Sequence, residues 1–236
     1  MNTPVVLIQI YIYKFVKQPL NSHGDFRSPQ CVAILRECDV VVTNPPFSLF
    51  RNYIQQLHKF NKHFLILGNM NAVFTKDILP LFMNNEVWYG VSIHAGDVKF
   101  YVPDNYPICT VNAGVDEFGK RFIRVPSIRW YTNIDNVYRH QKLPLLHTYT
   151  PEKYLQFDHY DAINVESYKE IPADYDGLMG VPISFMDYYC PEQFEILNGF
   201  SRYAIVENEY KNPVGTYGTA VNGQPKYARL LIRKKQ

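Results

Sequence analysis

The chain of 236 residues contains no C-x-x-C pair. Its four cysteines, Cys31, Cys38, Cys109 and Cys190, are scattered. That excludes a zinc knuckle and a dithiol redox pair, and scattered thiols suit a reducing, cytoplasmic setting. The seven histidines fall in no ligand spacing, so no metal is expected. An excess of one charge is also missing. Lys and Arg total 24 against 22 Asp and Glu, a net charge of +2. This permits nucleic-acid binding but is far from the strongly basic balance that announces it. No apolar run is long enough to span a bilayer. The N-terminal run is followed by Lys14 and Lys17, with no basic region ahead of it and no small-residue cleavage site behind it, which argues against a signal peptide. No membrane partner is therefore expected. Internal repeats and low-complexity tracts are absent.

What is present is a globular composition, 47% hydrophobic and 19% charged. The length allows one sizeable core, or a core domain with a smaller appendage. Aromatics reach 15%, with 19 Tyr and 15 Phe, which serves internal packing or stacking surfaces. The final RLLIRKKQ reads as a short basic tail, either a solvated terminus or a phosphate contact. Near the start, IQIYIYKF alternates like a strand.

RSPQCVAILREC carries helix-start chemistry: Ser28 as cap, Pro29 at the first position, and Val32, Leu35 and Ile34 as an apolar face. DVVVTN follows as a strand whose unbroken valines predict burial on both faces, as in the middle of a parallel sheet. A helix is expected near 48–60, with Phe50, Ile54 and Leu57 on one face. HFLIL is another buried strand. This alternation predicts an α/β sheet. TKDILPLFMNN reads as a short helix capped by Thr75 and disturbed by Pro80. VWYGV and VKFYV read as a hairpin around Gly96, and FIRV and IRWYTNI as further strands. From about Asp135 prolines and tyrosines increase and periodicity weakens. CPEQFEIL reads as a short helix with Pro191 in its first turn, and SRYAIVEN and KYARLLIR as two last strands. A loop-rich half on a rigid sheet is where specificity usually sits.

One stretch asks for chemistry, CDVVVTNPPFSLF at 38–50. Ligand sites of open α/β sheets lie at the carboxyl ends of the strands, where Asn44, Pro45, Pro46 and Phe47 fall. The prolines fix two φ angles and keep the residues before them extended. The Asn44 side-chain oxygen and the Pro45 carbonyl then form a stiff pair of acceptors. That pair suits a planar amine such as N6 of adenine: held by both hydrogens, its lone pair is freed toward an electrophile without a dedicated base. Phe47 can stack on the ring. The natural electrophile is the methyl sulfonium of S-adenosylmethionine, and a base inside duplex DNA must flip out to meet it. Termination of a strand by Pro-Pro is the bland alternative. Upstream, Asp25 can accept from the cofactor's adenine amine and Phe26 can pack on its ring; the alternative for Asp25 is an ordinary turn residue.

The segment GDFRSPQCVAILRECDVVVTNPPFSLFRNYIQQLHKFNKHFLILGNMNA closely resembles the EcoRI-type adenine-specific DNA methyltransferase family. So do VWYGV, RWYTNI, YDAINV, IPADYDGLMGVPISF and PEQFEIL, with a weaker echo in YARLLIRKK. The resemblance implies methyl transfer from S-adenosylmethionine to N6 of adenine in double-stranded DNA, as in restriction-modification. It also implies a class I, Rossmann-like methyltransferase sheet with the NPPF signature in its catalytic loop. Asn44, Pro45, Pro46 and Phe47 match that signature, with Asn44 and Pro46 also bordering the cofactor. Asp25 and Phe26 match the adenosine-side motif. Members of the family carry a long region before GDFRS, whereas 23 residues precede Gly24 here. Those residues contain no glycine-rich turn and no strand–acid pair. The expectation is an N-terminally truncated sheet with an atypical segment at 1–23, a partial catalytic core at 24–134 and a DNA target-recognition region at 135–236. A second chain can then supply the missing motifs. The alternative is an inactive remnant or split-enzyme part that binds DNA or a partner chain. Methyltransferases acting on RNA or on glutamine side chains share NPP[FY] loops and form a third reading.

Overall fold

The fold is that of a computed structural model, which describes residues 20, 25–93, 98–107, 111–200, 209 and 219–235. The strands expected at IQIYIYKF and SRYAIVEN lie outside the described residues, as does Gly24. The chain divides into two compact units, 1–38 and 39–236.

The first unit contributes helix α1, Pro29–Glu37. Ser28 is extended and its hydroxyl accepts the Cys31 N–H at 3.2 Å, while Pro29 takes the first helical position. The helix stops where the Cys38 N–H bonds the Ile34 carbonyl at 3.1 Å. Of its apolar residues Leu35 is buried, whereas Ile34 is exposed.

The second unit runs through β1 (Val40–Thr43), α2 (Phe50–Lys59), β2 (His63–Asn69), α3 (Leu79–Met83) and β3 (Trp88–Tyr89). It continues with β4 (Val98–Tyr101), β5 (Ala113–Val115), β6 (Arg121–Val125), β7 (Ile128–Thr132), β8 (Gln156–Phe157) and β9 (Tyr160–Asn164). β10 (Met179–Pro182), β11 (Phe194–Phe200), β12 (Ala220–Val221), β13 (Gln224–Pro225) and β14 (Arg229–Lys234) complete it. The first sheet has the order β1-β2-β7-β3, with β1 and β2 parallel and β7 antiparallel to both β2 and β3. α2 connects the two parallel strands and buries Phe50, Ile54 and Leu57, the i, i+4, i+7 face expected of it.

The later half holds a five-stranded sheet in the order β11-β14-β10-β9-β8. On one part of it Phe157, Ala162, Phe200, Val221 and Leu231 form a cluster. The two sheets belong to one unit, and β11 packs closely on α3 and the turn before it. A Cβ placed on Gly199 of β11 would meet Phe74 at 3.0 Å and Leu79 of α3 at 3.1 Å. β12 and β13 form a hairpin over Asn222 and Gly223, both at positive φ, whose N–H groups each bond the Asp158 carboxylate at 2.7 Å.

Five expectations are corrected. β1 is not buried on both faces: among the described residues it pairs only with β2, and Val40 and Val42 are 47% and 65% exposed. A valine run reports β propensity, and propensity does not decide which faces of the strand are covered. VWYGV and VKFYV are not a hairpin, because β3 pairs with β7 and β4 with β6. Thr75 does not cap α3; its hydroxyl bonds the Ala72 carbonyl at 2.8 Å, and Pro80 sits in the first turn of α3, where it is tolerated. CPEQFEIL forms a turn and then β11, with Ile196 paired to Ile232. RLLIRKKQ is not a solvated tail. Its residues build β14, which lies between β11 and β10 with Arg229 to Ile232 buried. Arg229, Arg233 and Lys234 are matched by Glu166, Glu195 and Asp176.

Candidate active site

The parallel pairing of β1 and β2 aligns Thr43 with Ile66. The residues after Thr43 and those after Ile66 therefore emerge at the same carboxyl edge. Asn44 is exposed there, and its side chain makes no hydrogen bond among the described residues. Pro45 is buried, which fixes the loop from below, while Pro46 is exposed at φ −56°. Phe47 is 45% exposed and begins a single 3-10 turn to Leu49, closed by the Leu49 N–H on the Pro46 carbonyl at 2.9 Å. α2 starts at Phe50, so the loop has no slack.

Phe50 is the anchor. It is buried and meets the Tyr131 ring edge-on at 4.7 Å between centroids. A Cβ on Gly68 would lie 2.5 Å from the Phe50 ring, so only glycine lets β2 approach this closely. Tyr131 donates its hydroxyl to the Asn69 carbonyl at 2.7 Å, and Tyr89 donates to the Met70 carbonyl at 2.7 Å. Burial raises the pKa of both phenols, which keeps them neutral donors. The turn after β2 is thus pinned beside the Asn44–Phe47 loop. Beneath it, Arg129 of β7 donates from Nε to Asp187 Oδ1 at 2.7 Å and from a terminal nitrogen to Oδ2 at 2.8 Å. Both side chains are about 95% buried, with 5% and 4% exposed. Arg129 also donates to the Ile128 carbonyl at 2.8 Å.

Asp25 and Phe26 lie in the other unit. The Asp25 carboxylate takes three hydrogen bonds from Arg27: backbone N–H at 2.9 Å, Nε at 3.0 Å and a terminal nitrogen at 2.9 Å. Arg27 thereby holds its carboxyl below the usual range. The guanidinium also sits 5.5 Å from the centre of the Phe26 ring. The structure does not bring this pair and the Asn44–Phe47 loop into one described unit.

The sequence model described as "Adenine-specific methyltransferase EcoRI" matches residues 6–235. The chain belongs to this family. It is 40% identical over 215 residues to the type II methyltransferase M.EcoRI of Escherichia coli, covering 90% of this chain and 63% of that protein. It is 36% identical over 228 residues to the type II methyltransferase M.MpnI of Mycoplasma pneumoniae, with 92% and 71% covered. Against M.MgeORF184P of Mycoplasma genitalium the identity is 35% over 240 residues, with 94% and 73% covered. The chain thus spans less than two thirds of the length of M.EcoRI. No solved structure matches it.

In this EcoRI-type chain the sequence points to the loop and hides what holds it. Its pattern marks Phe50 only as one residue of an apolar helix face, and nothing in it singles out Tyr89, Tyr131 or Asp187. Their partners stand 19 to 62 residues away, so no local spacing announces them. The one available signal is the polar residue Arg129 inside IRWYTNI, an otherwise β-forming run. Among the described residues no helix is long and apolar enough to cross a membrane.

Proposed function

We propose that this chain carries the catalytic half of a site-specific DNA methyltransferase, which transfers a methyl group from S-adenosylmethionine to N6 of a flipped adenine. The observation that carries the reading is an exposed Asn44 with no hydrogen-bond partner among the described residues, set between a strand end and a buried Pro45. Its side-chain oxygen and the Pro45 carbonyl accept the two N6 hydrogens. Held this way, the nitrogen turns its lone pair out of conjugation and away from the fork. Phe47, half-exposed, stacks on the purine and contributes about 1–3 kcal/mol. Bound there, S-adenosylmethionine would supply an electrophilic methyl group to the freed lone pair, and the N6 proton would pass to solvent. Asp25, Phe26, Asn44 and Pro46 are the residues assigned to the cofactor. The donor set suits it: an acidic acceptor and an aromatic face for an adenosine, with no metal ligand required.

The sheet order β1-β2-β7-β3, with one antiparallel strand set between parallel neighbours, supports a class I Rossmann-like sheet read from its middle outward. Among the described residues β1 pairs only with β2, so its other edge is open to a further strand, which a second polypeptide can supply. Residues 135–236 are assigned to target recognition. The test is Asn44→Ala, assayed for methyl transfer to duplex DNA from methyl-labelled S-adenosylmethionine in a protein whose sheet is completed along β1. Loss of one preorganised hydrogen-bonding group lowers turnover by about 100-fold or more. Undiminished transfer overturns the mechanism.

A further inference from the structure

The three-stranded sheet β4–β6–β5 takes no part in the site described above. Its register places Lys99 opposite Arg124, and Tyr101 and Gly114 opposite Phe122. Residues directly opposite share a face, so one face carries Lys99, Arg124, Tyr101 and Phe122. The other carries Val98, Phe100, Ile123 and Val125, all half-buried. Phe122 is buried in its own face: its ring lies across Gly114, where an added Cβ would be 2.8 Å away. Lys99 Nζ stands 4.7 Å from the ring centre and the Arg124 guanidinium 5.4 Å. Both cations are exposed, and neither enters a salt bridge among the described residues. Like charges facing each other across a strand pair are destabilising. The ring offsets part of that cost, and an anion seated between them would remove it.

Among the described residues, the carboxylates nearby do not fill that role. Asp116 is engaged in the turn between β5 and β6, accepting the N–H groups of Phe118 at 2.9 Å and Lys120 at 2.8 Å as well as the Tyr101 hydroxyl. Glu117 projects from the same turn, at the far end of β6 from Arg124. Arg121 is committed to the Asp104 carbonyl.

Topology places the arm. β3 and β2 are both antiparallel to β7, so β3 runs parallel to β1 and β2. The arm is inserted between the carboxyl end of β3 and the start of β7. It therefore leaves the sheet at the edge that carries Asn44–Phe47. Arg124 is four residues before Ile128, the first residue of β7, so the cationic end is the end nearest the sheet.

We propose that the Lys99–Arg124 face of this arm binds the phosphate backbone of the duplex whose base enters the Asn44 loop. This rests on the reading of the chain as a DNA methyltransferase. A cation pair over a ring matches two neighbouring phosphodiesters in charge, and phosphate contacts fix register while base contacts specify. The test is the binding of a fluorescent duplex to the intact chain by anisotropy, across a salt series. In the Lys99→Gln/Arg124→Gln variant the slope of log K against log salt falls by roughly 1.8, about 0.9 for each phosphate that is no longer neutralised. Lys99→Arg keeps the charge and the slope. The thermal midpoint of the double variant, equal to or above that of the parent, shows that folding is not the cause. An unchanged slope with duplex binding intact overturns the arm and leaves the methyltransferase reading standing. A parent chain with no salt-dependent duplex binding overturns both.

Discussion

Asp187 and Arg129 set the largest single-residue energies near the site. Each is a full charge removed from water, and each is matched by a two-point hydrogen bond at 2.7 and 2.8 Å. Such a pair adds little over a well-packed apolar pair, yet removing one partner leaves a buried charge alone. Asp187→Asn is therefore expected to destabilise the chain by about 3–5 kcal/mol, read as a fall in the urea midpoint at unchanged slope. A change below about 1 kcal/mol would mean that water reaches the guanidinium. His140 is a contrasting case. Its ring nitrogens meet Asp135 at 2.9 Å and Glu192 at 2.8 Å, and first Asp135, then Glu192, raise its pKa above the ordinary value. A raised folded pKa means that the contribution is complete below the unfolded value, about 6.5, and fades as pH rises through the folded value. Exposure keeps the effect small. NMR titration of the His140 ring is expected to give a midpoint above the usual histidine range, and His140→Gln to remove the fall in stability above neutral pH.

Among the elements, β1 and α2 lie next to each other in sequence and differ in burial. Leu57 and Ile54 of α2 are fully buried, and Leu57→Ala is expected to cost about 2–5 kcal/mol. Val42 of β1, at 65% exposed, already faces solvent. Val42→Lys should shift stability by no more than about 0.5 kcal/mol, while a charge on an open edge blocks strand-to-strand association. Urea denaturation reads the first effect and sedimentation velocity the second. A loss as large as that of Leu57→Ala would show that β1 has a cover. The same contrast explains what can be read in advance. The period of α2 and the cap of α1 are local, and both elements form as expected. β1 is a strand as its valines predict, but its burial depends on neighbours absent from the sequence window. β11 reads as a helix because Pro191 suits a first turn, although a proline in the turn before a strand looks the same. β14 is a strand, as KYARLLIR predicts, but its charges read as solvated because Glu166, Glu195 and Asp176 lie 38 to 63 residues from the cations they match.

At the scale of the whole molecule, the stiffness of the loop is legible because two prolines encode rigidity within four residues, with no help from the fold. The cofactor side is different. Asp25 and Phe26 belong to one unit and Asn44 to another, and among the described residues β1 pairs only with β2 and leaves Val40 and Val42 exposed. A ligand contacted from both sides of such a strand loses affinity when one side is missing, since the binding geometry is then not held in advance. The 236-residue chain is accordingly expected to take up S-adenosylmethionine only weakly in calorimetry. A polypeptide that adds strands along β1 should restore binding, and with it a rise in thermal midpoint that grows with the logarithm of ligand concentration. Tight binding by the chain alone would show that the half-sheet already holds the cofactor. The exposed valines would then be an ordinary edge, and no joining strand would be needed to account for them.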